Sequence, residues 1–227
     1  RYGRAALRLA PDEPEVQGIG AMIDYRAALM NRDEDAGQAA LQRAQALVSQ
    51  HPELVVPRRV ILDSLVRQSD WDAVLASLEE GLQHDPDSFE FQRMRAAALF
   101  QLGRTDELEA QLRQMAIANP EDTEIENSLL GLLINQKRPE AAEEFLRSRV
   151  DPASADPAAR QRLISFIAQT RGMPAAREEI DRIIAGNPPK VGIYRTMRAG
   201  IDFDAGSRDG AMAEMKSIID SKPEADV

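Results

Sequence analysis

One pattern recurs along this chain at a nearly constant interval, and it restricts the fold more than any other property. A small or aliphatic anchor is followed by an apolar residue four positions later, two more at seven and eight, and proline at twelve. Val74, Leu78, Leu82 and Pro86 carry the pattern, and Leu108, Leu112, Met115, Ala116 and Pro120 repeat it 34 residues on. Ala142, Leu146 and Val150 follow with Ser154 at the proline place, then Ala176, Ile180, Ile183, Ile184 and Pro188. Ala40, Ala44, Leu47, Val48 and Pro52 precede them, and Ala211, Met215, Ile218, Ile219 and Pro223 close the series. Six anchors spaced by 34, 34, 34, 34 and 35 residues define an internal repeat, which has to be recognised before any single element is read.

Offsets of four, seven and eight put these side chains on one face of a helix with about 3.6 residues per turn. Proline then stops that helix, because it lacks the backbone N–H and clashes with the preceding turn. Between each proline and the next anchor lies a second apolar stretch: Val60, Ile61, Leu65; Met94, Ala98, Leu102; Leu129, Leu130, Leu133; Leu163, Ile164, Ile167. Each stretch ends near a turn signal, at Ser69-Asp70, Gly103, Gln136 to Pro139, Gly172 or Gly206. Thr123 with Glu126 has capping-box spacing, and Asp87-Ser88 precedes another helix start. Nothing alternates with period two over a strand's length. The expectation is an all-α chain in which every unit is a pair of antiparallel helices.

A 34-residue helix-turn-helix with a small residue opening its second helix and a proline closing it resembles the tetratricopeptide repeat (TPR). The resemblance spans a trailing helix within 1–11, units over 12–52, 53–86, 87–120, 121–154, 155–188 and 189–223, and a tail at 224–227. It implies one domain, an α-solenoid of about six repeats in which each hairpin buries its apolar face on its neighbours, winding as a right-handed superhelix with a concave surface. The first helices depart from the family pattern: Leu62, Leu130 and Ile164 stand where glycine is common. The first full unit also departs, since Pro11 to Pro52 is 41 residues, with the surplus expected at Asn31 to Gly37. The chain opens on Arg1 with Tyr2 to Ala10 reading as the end of an amphipathic helix, so a fragment of a longer protein is expected.

Composition then removes functions. With 28 basic and 38 acidic side chains the formal net charge is −10, which argues against nucleic acid, whose phosphates need clustered Lys and Arg. There is no cysteine for a disulfide, thiolate site or nucleophile, and the two histidines leave little for a metal site or proton relay. Apolar runs such as Leu129 to Ile134 are far shorter than the roughly 20 residues that span a bilayer, so no direct membrane insertion is expected. No glycine-rich phosphate loop, G-x-S-x-G or H-E-x-x-H motif occurs, and neither an enzyme, a cofactor nor a metal is expected. Absence of cysteine suits periplasm and cytoplasm alike; family analogy leans to a bacterial periplasmic origin.

Several residues have a chemical reading beside a plainer one. Asn31, Asp33 and Asp35 show the one-three-five oxygen spacing of a calcium loop, but Ala36 and Gln42 replace its glycine and its bidentate glutamate. Asp202, Asp204 and Asp209 crowd another turn, with Ala213 at the twelfth place. Both are read as capped, solvated loops. His51 and His84 are read as structural or solvated, and Trp71 as packing. The pairs Glu79-Glu80, Glu143-Glu144 and Glu178-Glu179 are read as exposed positions that keep a helix face soluble.

The sharpest functional signal is a column on the first helices. Fifteen residues before successive anchors stand Arg59, Arg93, Asn127 and Gln161, and sixteen before the last stands Arg195. By the resemblance this column faces the concave groove, joined by Asp63, Arg67, Phe100, Gln101, Ile134 and Asn135. Forked guanidinium groups suit carboxylates, so the expected client is a protein or peptide with an acidic segment. Against this, Arg59 has Asp63 four residues away and Arg93 has Glu90 at three, spacings that would neutralise both. The lysine and asparagine clamp of chaperone-tail-binding relatives is not reproduced, because Arg59 and Asp63 occupy the comparable pair. The reading is a non-catalytic interaction scaffold. The alternatives are a spacer or homo-oligomerising module of a larger bacterial envelope-associated assembly, and a regulatory array whose catalytic domain lies elsewhere.

Overall fold

Every regular element described in the computed structural model is an α-helix, and residues 9–221 are described. Twelve helices are found there: α1 Pro14–Asn31, α2 Glu34–Gln50, α3 Val55–Arg67, α4 Trp71–His84, α5 Phe89–Gln101, α6 Thr105–Ala118, α7 Thr123–Asn135, α8 Pro139–Ser148, α9 Ala158–Arg171, α10 Met173–Ala185, α11 Val191–Asp204 and α12 Arg208–Asp220. Most of the trailing helix expected within 1–11, as well as Pro223 and the tail, lies outside the described residues. The helices form two compact units, one up to Glu126 and one from Asn127, with the division inside α7.

The packing is local, as a repeat of hairpins requires. In the N-terminal unit α1 packs on α2 and α3, and successive helices from α2 to α6 pack on one another. In the C-terminal unit successive helices from α8 to α12 do the same. All six anchors, Ala40, Val74, Leu108, Ala142, Ala176 and Ala211, are buried. Around them the apolar faces close into clusters. One gathers Ala21, Tyr25, Ala40, Ala44 and Val60, and the other Leu146, Leu163, Ile164, Ile167, Ala176, Ile180 and Tyr194. Small residues permit the closest approaches: a Cβ on Gly81 would lie 2.8 Å from Phe91 and 2.9 Å from Arg58, so any larger residue forces α4 away from α5.

Turns within hairpins share one geometry. Ser69, Gly103 and Lys137, each 34 residues apart, and Gly206 all adopt positive φ, the left-handed turn that ends a helix and frees the chain to reverse. Asp33 and Asp70 then accept a backbone N–H from the third residue on, from Ala36 at 3.0 Å and Ala73 at 3.1 Å, capping α2 and α4.

Two local expectations are corrected. The surplus of the first unit is not a longer loop at Asn31 to Gly37: α1 and α2 are 18 and 17 residues against 13 and 14 for α3 and α4, and Gly37 is inside α2. Inserted residues that continue an apolar face lengthen both helices at no cost in unsatisfied backbone. At α7 the cap is Asp122, not Thr123; its Oδ1 accepts from Glu124 at 3.0 Å and Ile125 at 3.2 Å, while Glu126 is buried.

Candidate functional site

Side chains of the first-helix column leave their helices on the polar side, and most are engaged by carboxylates of this same chain. Arg59 bonds Glu90, and Arg93 reaches Glu124 at 3.5 Å while its guanidinium lies 5.8 Å over Phe89. The pairings expected within one helix, Arg59 with Asp63 and Arg93 with Glu90, are therefore corrected. Each of the two arginines reaches the carboxylate 31 residues on, in the first turn of the following unit's first helix. Asp63 is already taken, accepting from Arg67 Nε at 2.6 Å. Arg195 is half-buried and donates to Glu214 at 2.9 Å. Gln101, Asn127, Asn135 and Gln161 are exposed, as are the apolar Phe100 and Ile134.

Three of the expected residues come together in one place. Arg59, Asp63 and Arg67 line a cleft of about 340 Å³ among α1, α3 and α5. Its apolar wall is Met22, Leu29, Val60, Val66 and Met94, and Tyr25, Arg26 and Glu90 complete it. The Tyr25 ring belongs to the core, and burial, aided by the Asp63 charge, pushes its phenol above the usual range. Hydrogen bonding to Asp63 raises Arg67 in turn. Both cleft carboxylates thus carry their own guanidinium. Arg26 is exposed, and no ion pair or hydrogen bond to its side chain is found among the described residues. The remaining expected residues, Arg93, Phe100, Gln101, Asn127, Ile134, Asn135, Gln161 and Arg195, are not among those lining this cleft.

Sequence reasoning missed the α1 contribution because the long first unit hid its register. Counting the same fifteen residues back from Ala40 would have reached Tyr25, next to Arg26. It also missed a second column one residue earlier. Arg58 and Arg160 are fully buried, and with Gln17 and Gln92 they share one task. Each donates to the carbonyl six residues before it, at Pro52, Ser154, Pro11 and Pro86, across 2.8–3.2 Å. The repeat proline ends one helix and leaves its carbonyl pointing inward, and this side chain satisfies it.

Elsewhere the candidates resolve into structure. Glu179 is buried, not exposed, and accepts from Arg147 at 2.6 Å. Glu143 is mostly covered and holds both Arg147 and Arg171. Asp33 caps α2, Asp202 is bound by Arg177, and among the described residues no three His, Asp or Glu side chains converge as a metal site would need. No described helix is long and apolar enough to cross a membrane.

Comparison with known proteins addresses the family. Residues 65–130 match the family model described as tetratricopeptide repeat. No curated protein sequence matches the chain. Among solved structures, the Naa15/Naa10 complex bound to HypK-THB is similar at 16% identity and a TM-score of 0.50 over 98% of this chain. The alignment takes in 33% of that neighbour, so this chain spans about a third of its length. A tetratricopeptide repeat protein from Parabacteroides merdae is similar at 16% identity and a TM-score of 0.49, covering 89% of this chain and 79% of the other. For Pseudomonas aeruginosa pilF the values are 12% and 0.47, with 93% and 95% covered. The matched segment contains the anchors Val74 and Leu108, whose pattern recurs at the other four, and the helices follow that period through the described residues. The repeat, the all-α architecture of the described residues and the family model matched over residues 65–130 agree on a tetratricopeptide-repeat fold.

Proposed function

We propose that this chain is a non-catalytic scaffold that binds a protein or peptide segment against the polar face of its first helices. The tetratricopeptide-repeat fold is that of an interaction scaffold, and the Naa15/Naa10 neighbour is itself part of a protein assembly. One observation carries the finer reading. Arg59, Arg93, Asn127, Gln161 and Arg195 recur at 34-residue intervals on helices whose opposite sides are buried, so each unit offers a polar group at the same register. Four of them are exposed, and exposed Phe100 and Ile134 add apolar area. Residues in this proposed groove are Arg59, Asp63, Arg67, Arg93, Phe100, Gln101, Asn127, Ile134, Asn135, Gln161 and Arg195. Since the arginines already hold carboxylates, an acidic client gains by exchange, displacing Glu90 or Glu124 from an exposed pair that contributes only about 0.2–1 kcal/mol.

The test is a double charge reversal, Arg59→Glu with Arg93→Glu, compared with wild type in affinity capture and mass spectrometry. Loss of a reproducible partner with unchanged helicity by circular dichroism supports the reading; unchanged capture sinks it. A self-association spacer is a second reading, favoured by Met212 and Ile219, which are 62% and 69% exposed on α12. That reading expects a mass that rises with concentration in light scattering, and a constant monomer mass would end it.

A further inference from the structure

We infer that the cleft among α1, α3 and α5 recognises an aliphatic side chain followed closely by a carboxylate in the bound segment, an inference that rests on the scaffold reading above. The argument is one of charge and shape at a single place. The cleft has three guanidinium groups, Arg26, Arg59 and Arg67, and two carboxylates, Asp63 and Glu90. Arg67 is held by Asp63 at 2.6 Å and Arg59 by Glu90, so an incoming cation meets carboxylates whose charge is already compensated. Asp63 also meets the buried Tyr25 hydroxyl, which occupies it further.

Arg26 is left over. Exposed and unpaired among the described residues, it gives the cleft a local surplus of positive charge within a chain whose net charge is −10. A guanidinium with all its donors free offers a carboxylate two parallel hydrogen bonds, which a neutral amide cannot match. Beside it, Leu29 is partly exposed while Met22, Val66 and Met94 form an apolar wall. The thioethers are flexible and adapt to an aliphatic side chain of varied shape. A volume of about 340 Å³ is at the small end for a ligand site, which suits one anchoring side chain and its neighbour. The partner's chemistry is therefore an apolar-acidic pair within a chain segment, with acidic residues alone insufficient.

Fluorescence polarisation with the full chain and short labelled peptides tests this. The probes carry Leu-Asp, Leu-Asn or Ser-Asp at the centre of one neutral Ser/Gly background. The Leu-Asp peptide is expected to bind at least about tenfold more tightly than either analogue. Arg26→Gln and Leu29→Ser should each remove about that advantage, while Arg104→Gln, at an exposed arginine outside the cleft and the proposed groove, should leave it intact. Equal binding of all three peptides, no binding of Leu-Asp up to about 1 mM, or an unchanged Arg26→Gln variant overturns the inference. Should capture of a natural partner fall in the Arg59/Arg93 reversal but survive Arg26→Gln, the scaffold reading stands and the cleft assignment falls. Should neither variant affect capture, both fall together.

Discussion

At the third residue after each second-helix anchor the two units solve one packing problem differently. In the N-terminal unit the position holds Arg43, Ser77 and Gln111, and in the C-terminal unit Phe145, Glu179 and Glu214, so that only the C-terminal unit places carboxylates there. Gln111 and Glu179 are both buried, so depth is not the difference. Gln111 receives one bond, from Arg95 at 2.7 Å. Glu179 is shared by Arg147 and Arg182, and Glu214 by Arg195 and Arg198. From these carboxylates the ion pairs run on: Arg147 to Glu143 to Arg171, and Arg198 to Asp181 to Arg177 to Asp202. A lone surface pair adds little because holding two long side chains costs most of what the attraction supplies. A carboxylate fixed between two guanidiniums has its position set already, so each further bond costs less. Of the chain's 28 basic residues 24 are arginine, whose planar fork can serve two carboxylates at once. The difference teaches that the C-terminal unit joins its ion pairs into networks around covered carboxylates, whereas N-terminal pairs such as Arg43 with Asp24 and Arg67 with Asp63 are exposed.

Removing the most deeply buried charge should have the largest effect. Arg58 is 1% exposed and donates to the carbonyls of Pro52 and Ser77 and to Glu80. Arg58→Ala takes the donor from the inward Pro52 carbonyl and opens a cavity against Gly81 and Phe91, and should cost about 3–5 kcal/mol. Urea unfolding followed by Trp71, which lies in this unit, measures it. A loss below about 1 kcal/mol would mean that water replaces the guanidinium and that the column is not structural.

The C-terminal unit should be more sensitive to loss of one carboxylate. Glu179→Gln keeps the shape but deprives Arg147 and Arg182 of their shared anion, at a cost of about 2 kcal/mol. The N-terminal counterpart, Glu80→Gln, removes the exposed partner of Arg58 while both carbonyl bonds survive, and should cost less than about 1 kcal/mol. Equal losses in the two variants would erase the contrast between the units.

Acid should reach the same contrast without mutation. Burial pushes Glu143 and Glu214 up, but the bonds from Arg147 and Arg171, and from Arg195 and Arg198, outweigh it and hold both below the ordinary carboxylate range. The Arg177 bond holds Asp202 low as well. A carboxyl depressed in the folded state stabilises it above its unfolded pKa, and that stability is lost as pH falls through the folded value. The window therefore opens below about pH 4.5 and widens downward. Circular dichroism, which reads both units, should start to fall before the fluorescence of Trp71, which reads only one. Coincident transitions would show that the N-terminal unit is equally dependent on its carboxylates.

How much of this was legible follows from what repeats. The anchors, the hairpin turns and the first-helix column are set by period and residue type, and Ala40 to Ala211 are buried as the spacing demanded. What escaped depends on partners between units of sequence. Glu179 looks like a surface acid until Arg147 and Arg182 are placed beside it, and a pairing 32 residues away is not a helical spacing. Arg59 has Asp63 at ideal distance along the helix but loses it to Arg67, a competition only geometry resolves. Arg26 was passed over because a unit of 41 residues hides its register, and its importance lies in having no partner among the described residues.

The smallest expected effect is a gain, and it should be alike in the two units. Ser69 and Lys137 stand at the same place as Gly103 and hold φ of 56° and 58°. A side chain in that left-handed region costs about 1–2 kcal/mol, whereas glycine there loses about 0.5–1 kcal/mol more backbone freedom on folding. Strain exceeds the entropic cost, so Ser69→Gly and Lys137→Gly should each stabilise by about 0.5 kcal/mol. Urea midpoints give the result, read by Trp71 for the first and by circular dichroism for the second. Neither turn takes part in the ionic networks, so the two gains should agree even though the units differ in how their ion pairs are joined. A gain confined to Ser69→Gly would instead assign Lys137 a favourable role in its own turn, for instance by placing its ammonium against the carbonyls that end α7.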